Sequence, residues 1–220
     1  MSFTTEFLNT IEKQLSTAVV CDILDEMGMR SQAMKGSLFP LVDEHKLVGV
    51  ARTILAYDVF EVPKDAYATE IEAVDSGREG DVFVCVNSSC NNGFWGELMA
   101  TVSIAKGVRG VLVDGAVRDI AQMRAMGETF KVFAKGRNPN DSNGRALVAD
   151  YDCPILCDGV VVNSGDLIFA DIDGIAVIPQ AVAKEVFEKA LEKVKKEDVV
   201  RAELAAGRSL KDAFAEHQVL

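Results

Sequence analysis

Histidine is nearly missing from this chain: among 220 residues there are two, His45 and His217. Zinc sites of the Cys/His kind, which need several such ligands close together, are thereby nearly excluded. His45 sits in the charged run Asp43-Glu44-His45-Lys46 and His217 lies three residues from the end, so both read as solvated surface residues rather than catalysts. Acid–base and electrostatic work then falls to carboxylates, arginine, backbone amides or a metal. Cysteine is also sparse. Cys21, Cys85, Cys90, Cys153 and Cys157 are odd in number and contain no Cys-x-x-Cys pair, the pattern of reduced, mostly buried thiols in a cytosolic protein. Long apolar runs are absent: stretches such as 98–105 fall far below the ~20 residues a membrane span requires. Residues 1–16 carry Glu6, Glu12 and Lys13 where a secretory signal needs an apolar stretch, so no export and no membrane partner are expected. Positive charge is in deficit, with 23 Lys and Arg against 34 Asp and Glu for a net charge of −11. Such a surface repels phosphate backbones, so no nucleic-acid partner is expected.

What is present is a globular composition, 49% apolar and 26% charged. No repeat, low-complexity tract or Pro/Gly/Ser linker divides it, which predicts one domain over residues 1–220. Ser16-Thr17 before an apolar run that closes at Gly28 predicts a capped helix. The Val/Ile/Thr-rich segment Lys46–Val59 predicts one or two strands. The centre alternates. Val82–Val86, Val111–Val113 and Phe130–Ala134 read as buried strands; Glu97–Lys106, stopped by Gly107, and Arg118–Met126, stopped by Gly127, read as the helices between them. This βαβαβ order implies a parallel sheet, with both intervening loops opening at one edge, where ligands bind in such architectures. Asn87–Gly96 reads as polar and flexible. After residue 145 the pattern changes to short strands at Ala146–Tyr151, Val160–Asn163, Leu167–Ala170 and Gly174–Ile178, a β-rich layer ended by Pro179. Ala181–Ala206 then has the period of one helix, about 39 Å long. A helix of that length overhangs a domain of this size, so residues 181–220 are expected to pack on a neighbouring subunit.

Two loops carry candidate chemistry: Gly93-Phe94-Trp95-Gly96-Glu97-Leu98-Met99 and Asp114-Gly115-Ala116-Val117-Arg118-Asp119. Glu97, Leu98 and Met99 open a helix, whose free amides and dipole attract a carboxylate or phosphate. Arg118 offers a fork of donors to a carboxylate or developing oxyanion. Asp119 with Glu97 offers hard oxygens to Mg²⁺ or Mn²⁺. Taken singly, an acidic residue at a helix start is also an ordinary cap, Arg-Asp an ordinary surface ion pair, and the glycines around Phe94-Trp95 an ordinary turn with Trp95 capping the core. The polar loop Gly136–Arg145 leaves two readings open, a carboxylate contact through Arg137 or Arg145, or a turn. Cys85 and Cys90 flank the same edge, with no adjacent group to activate either.

Glu97, twenty intervening residues and then Arg118-Asp119 resemble the Gly-Asp/Glu-x20-Arg-Asp signature of the RraA-like family. This family includes the class II 4-hydroxy-4-methyl-2-oxoglutarate/4-carboxy-4-hydroxy-2-oxoadipate aldolases. Leu15–Ala18 through Met27-Gly28, Gly49–Thr53, Val132–Gly136 and Asp171–Pro179 are similar to family segments as well, so the likeness runs from about Leu15 to Gly207. It implies a swivelling β/β/α domain in trimers or hexamers with active sites between subunits. In the aldolases it implies that Asp119 holds the divalent metal, Glu97 its waters and Arg118 the keto oxygen of pyruvate. The pyruvate carboxylate then meets the amides of Leu98 and Met99, next to Gly96. A glutamate from a neighbour's C-terminal helix also acts in the aldolases; Glu197 is the candidate here, with a solvated charge as its other reading. The implied reaction is metal-assisted cleavage of a 4-hydroxy-2-oxo acid through a pyruvate enolate, a metal-bound water aided by Asp119, Glu97 or Glu197 serving as base. Oxaloacetate decarboxylation passes through the same enolate. Glu97 departs from the aspartate of these aldolases by one methylene, which bears on substrate choice. Two rivals stand beside the enzyme: a non-catalytic regulator, since the family's namesake docks on an RNA-degrading endonuclease, and a methyltransferase, for which no GxGxxG follows a strand.

Overall fold

The protein is described by a computed structural model over residues 3–87 and 89–219. Two helices open it. Helix α1 (Thr5–Gln14) starts where the Thr4 hydroxyl accepts from the Phe7 amide, and α2 (Thr17–Glu26) where Ser16 accepts from Val19, the expected cap. Gly28, with φ of 81°, turns the chain out of α2 as predicted. Strands β1 (Phe39–Pro40) and β2 (Leu47–Asp58) follow, then α3 (Ala68–Asp75), β3 (Asp81–Asn87), β4 (Gly93–Trp95) and α4 (Glu97–Ala105). The central alternation continues through β5 (Gly110–Val117), α5 (Ile120–Ala125) and β6 (Lys131–Arg137). Strands β7 (Ala146–Tyr151), β8 (Ile155–Cys157), β9 (Val160–Val162), β10 (Leu167–Asp171) and β11 (Gly174–Ile178) form the β-rich part, and α6 (Ala183–Ala205) and α7 (Leu210–His217) end the chain. Sequence periodicity had no purchase on α1, α3, β8 or α7, which are short.

Among the described residues, nine strands share one sheet in the order β1-β6-β5-β3-β2-β10-β11, with β4 on β5 and β7 on β2. The strands β6, β5 and β3 run parallel, as the alternation implies, and β2 joins them parallel to β3; β10, β11, β7 and β1 pair antiparallel. The result is a mixed α/β fold with a near-closed sheet and a long C-terminal helix. Buried Val82, Phe83, Val84 and Val111–Val113 fill both faces of the centre, which is why those runs show no alternation. On one face Phe83 and Trp95 lie 5.4 Å apart and Trp95 stacks on Phe130 at 6.3 Å. Under α1, α2 and α6 a second core holds Leu8, Ile11, Val20, Phe169 and Phe187. Asp171 ties the ends together: its Oδ2 accepts the buried Thr17 amide at 2.8 Å, fixing the start of α2 on the β10–β11 turn.

Three local expectations are corrected. His45 is buried rather than solvated: Asp43 and Glu44 take the exposed positions of the turn, and Lys46 leans away to donate to Leu15 O at 2.7 Å. Burial holds the imidazole below its ordinary value, more than Glu128, 3.9 Å from Nε2, raises it. His217 is not free either; its Nε2 lies 2.9 Å from Glu203 Oε2. Within the segment expected to be a flexible polar loop after β3, Asn87 and Asn92 are buried instead, Asn87 Nδ2 donating to Asn92 Oδ1 at 3.2 Å, and β4 lies beneath the surface; Ser88 lies outside the described residues. Over the far half of α6, Val200 packs with Ala213 and Val219. No helix is long and apolar enough to cross a membrane among the described residues. All five cysteines are free, two of them buried.

Candidate functional site

Four loops, each following one parallel strand, converge at the carboxyl edge of the sheet. They enclose a cavity of about 300 Å³ whose polar wall is Tyr67, Glu70, Arg118, Asp119, Asp141 and Ser142. Its floor is set by glycine. A Cβ on Gly96 would lie 2.6 Å from Asp119 Oδ2, and one on Gly93 would lie 2.7 Å from Arg118 Cβ, so both loops close only without side chains there. Gly96 also leaves α4 without a side-chain cap. The amides of Leu98 and Met99 precede the first intrahelical bond, from Ala100 N to Gly96 O at 3.1 Å, and remain available at the cavity wall.

Asp119 adopts φ 56° and ψ 38°, a left-handed conformation that aspartate tolerates better than most residues. The twist delays α5 to Ile120, two residues later than the sequence predicts, and turns the carboxylate back so that Oδ2 accepts the Glu97 amide at 3.1 Å. Arg118 is held by its own backbone, which donates to Trp95 O at 2.9 Å. Its Nε lies 3.8 Å from Asp119 Oδ2 and its Nη1 3.5 Å from Asp141 Oδ1. Asp141 accepts the Tyr67 hydroxyl at 2.7 Å and the Ser142 amide at 2.7 Å. Burial alone would raise its carboxyl, but the Tyr67 bond and the Arg118 charge outweigh burial and hold it low. Tyr67 is raised in turn, by that same bond first. Glu70 moves the opposite way: burial, then the neighbouring negative charge of Asp141, push it up to about 7 against the pull of Arg118 and Ser142. Two carboxyls on one wall are thus driven apart, one ionised and one close to half-protonated at neutrality.

Of the residues expected at the site, the structure brings together Gly96, Leu98, Met99, Arg118 and Asp119. Glu97 joins through its backbone; its side chain turns along the helix, where Oε1 accepts from Thr101 at 2.7 Å. Glu197 lies on α6, away from this cavity in its own chain, 3.9 Å from Arg201. Arg145 serves the turn, donating to Asp141 O at 3.1 Å, while Arg137 lines a second hollow of about 280 Å³ on the other flank of Arg118 and Asp119. Cys85 is in the core with its thiol raised by burial, and Cys90 is exposed. Tyr67, Glu70, Asp141 and Ser142 were missed by sequence reasoning. The available signal was the parallel strand at Phe130–Ala134, whose following loop opens at the same edge, and the strand pattern at Lys46–Val59, whose following loop does so too if that strand is parallel.

A larger cavity of about 580 Å³ lies at the opposite edge, lined by Glu12, Lys46, Arg109 and Lys131. Its charges pair with one another, since Glu12 binds both Arg109 and Lys131, while Arg109 Nε is buried without a partner. At the first rim the ion contacts of Arg118 are longer, 3.5 and 3.8 Å.

Known proteins resemble this chain over most of its length. DlpA of Legionella pneumophila is 30% identical over 201 residues, 90% of this chain but 32% of DlpA, so the chain spans about a third of that relative. A protein of Halalkalibacterium halodurans, provisionally named a 4-hydroxy-4-methyl-2-oxoglutarate aldolase, is 29% identical over 194 residues, 88% of this chain and 84% of the relative. The crystal structure of Streptomyces coelicolor RraAS2, described as an unusual member of the RNase ES inhibitor RraA protein family, superposes with a TM-score of 0.79 at 26% identity, covering 91% of this chain and 98% of that one. The model for RraA-like proteins, described as Aldolase/RraA, matches residues 17–177. Because that stretch runs from the first turn of α2 into β11 and includes every loop that lines the rim, the chain belongs to the RraA-like family.

Proposed function

We propose that this protein is a divalent-metal-dependent lyase that cleaves 4-hydroxy-2-oxo acids to pyruvate through an enolate and decarboxylates oxaloacetate through the same enolate. The observation that carries this reading is Arg118 beside Asp119, 3.8 Å apart, against the uncapped first turn of α4. The amides of Leu98 and Met99 bind the substrate carboxylate. Arg118 then faces the 2-keto oxygen, and its fixed donors stabilise the charge that gathers there as the C3–C4 bond breaks. Asp119 fits a hard dication: its carboxylate is partly exposed, one oxygen is engaged by a backbone amide and Gly96 leaves the space beside it clear. No three His, Cys, Asp or Glu residues form a ready cage among the described residues, which suits Mg²⁺ or Mn²⁺, cations commonly held by one or two carboxylates with waters. When bound, such a cation supplies charge neutralisation for the enolate. Glu97, and Glu197 from a second copy in a homotrimer or homohexamer, are assigned to hold water at the site. In both reactions the electrons of C3–C4 enter the enolate; the fragment that leaves is a carbonyl compound in one and carbon dioxide in the other.

The test is oxaloacetate with Mg²⁺ or Mn²⁺, followed by racemic 4-hydroxy-4-methyl-2-oxoglutarate, with pyruvate as readout. Pyruvate must appear, and must stop on chelation and in Arg118→Ala. The likeness to RraAS2 favours one other reading, a protein-binding regulator, which is the outcome if both assays are silent while an RNA-degrading endonuclease is retained in pull-down.

A further inference from the structure

Resting on the lyase reading above, Arg118 must meet the keto oxygen with its fork already aimed, because a donor left free to swing loses much of its effect on rate. Its backbone is fixed: the amide donates to Trp95 O at 2.9 Å, and Gly93 leaves room for its Cβ. Its side chain is 34% exposed and is held only by ion contacts among the described residues, from Nε to Asp119 at 3.8 Å and from Nη1 to Asp141 at 3.5 Å. Nη2 stays clear of both acids. The two acids belong to different loops. Asp119 is the next residue along and is tied to the Glu97 amide. Asp141 stands between β6 and β7 and is held at both oxygens, Oδ2 accepting the Tyr67 hydroxyl and Oδ1 the Ser142 amide, each at 2.7 Å, while Arg145 donates to its carbonyl at 3.1 Å. One chain of contacts therefore crosses from the start of α3 through the β6–β7 loop to the end of β5.

We propose that Asp141, oriented by Tyr67, is the positioning residue of Arg118, holding Nη1 so that Nη2 is the donor that meets the 2-keto oxygen. Asp119 fixes the root of the fork at Nε and Asp141 fixes one tip. A rigid planar group restrained at two of its three nitrogens keeps one orientation for the third. As a bare charge, Asp141 would oppose an enolate forming beside Arg118, since like charges repel most where water is scarce. Its use is therefore geometric: it touches no reacting atom and acts through the guanidinium. Tyr67 acts one step further back. Its hydroxyl takes up Oδ2 and leaves Oδ1 to Arg118. Losing Tyr67 leaves Asp141 on the Ser142 amide with a looser aim, whereas losing the Asp141 carboxylate leaves Nη1 without an anchor.

Tyr67→Phe and Asp141→Asn, alone, together and each with Arg118→Ala, test this in the full-length protein with Mg²⁺, using oxaloacetate and racemic 4-hydroxy-4-methyl-2-oxoglutarate and reading kcat and KM for pyruvate release. Asp141→Asn should lower kcat about 100-fold and move KM less than about threefold, the split expected when only the transition-state geometry is lost. Tyr67→Phe should lower kcat about tenfold. The two together should lose no more than Asp141→Asn alone, and Asp141→Asn added to Arg118→Ala should cost less than about twofold more, because residues that act through one another do not add. Without metal, the Arg118 Nε–H resonance, identified by its absence in Arg118→Ala, should be sharp in wild type and exchange-broadened in Asp141→Asn. A kcat at or above wild type in Asp141→Asn overturns the proposal, since the carboxylate is then only an opposing charge. A change in KM alone, or a loss that adds in full to that of Arg118→Ala, also overturns it, since the residue then shapes the cavity without aiming Arg118. Both results leave the lyase standing. Silence of wild type with both substrates removes the lyase and the positioning role together.

Discussion

The two edges of the parallel strands are built from the same side-chain types and do opposite things with them. At the amino edge, Glu12, Arg109 and Lys131 are 10–14% exposed and close on one another, with Arg109 donating also to Asn9 at 2.7 Å. At the carboxyl edge, Arg118, Asp119 and Asp141 are 34–42% exposed, and their ion contacts stretch to 3.5–3.8 Å. Charge satisfied inside the chain holds the fold; charge left partly unsatisfied is available to a ligand. On that contrast the larger cavity belongs to the framework, and the smaller one is where the chemistry is proposed.

Breaking the carboxyl edge should cost activity and spare the fold. Arg118→Ala is expected to lower oxaloacetate turnover about 10³-fold or more, with the melting temperature unchanged to within about 2 °C by calorimetry. Breaking the amino edge should do the reverse. Glu12→Ala leaves Arg109 and Lys131 mostly buried without their shared partner, a loss on the order of 2 kcal/mol once partial exposure is allowed for, or about 4–8 °C in melting temperature, with turnover kept. Gly96→Ala sharpens the contrast, because its new Cβ meets Asp119 Oδ2 at 2.6 Å; an order of roughly tenfold loss in kcat/KM is expected by steady-state kinetics without unfolding.

The smallest effect is a pH dependence. Folding raises Glu70 from 4.5 to about 7, so the folded state holds that proton more tightly than the unfolded one. Its contribution to stability is fully present below the unfolded value and is lost as pH rises through about 7. Glu70→Gln, which removes the ionised form, should therefore stabilise the protein at pH 8 by about 1 kcal/mol and do little at pH 4, measured by urea denaturation at both.

The fold was legible where patterning is strong. Continuous apolar runs announced β3 and β5 because both faces of those strands are covered, and the cap Ser16 and stop Gly107 bounded α2 and α4 because orphan amides and left-handed exits admit few residues. Arg118 and Asp119 were legible through their spacing from Glu97. The rest of the wall was not. Tyr67, Glu70 and Asp141 lie in or next to segments with no strong periodicity, and nothing local distinguishes them from solvated polar residues. His45 misled for the same reason in reverse: charged neighbours suggested water, while the turn buried the ring.

By itself the amino-acid sequence determined the alternation of the central strands and helices and the family to which the chain belongs, because these depend on residue type and short-range spacing. Only the tertiary structure decided which carboxylates share a wall, which way Asp119 turns and which of two neighbouring acids keeps its proton. Those properties depend on distance and burial among residues up to 74 positions apart, as in the bond from Tyr67 to Asp141, and no local pattern encodes them.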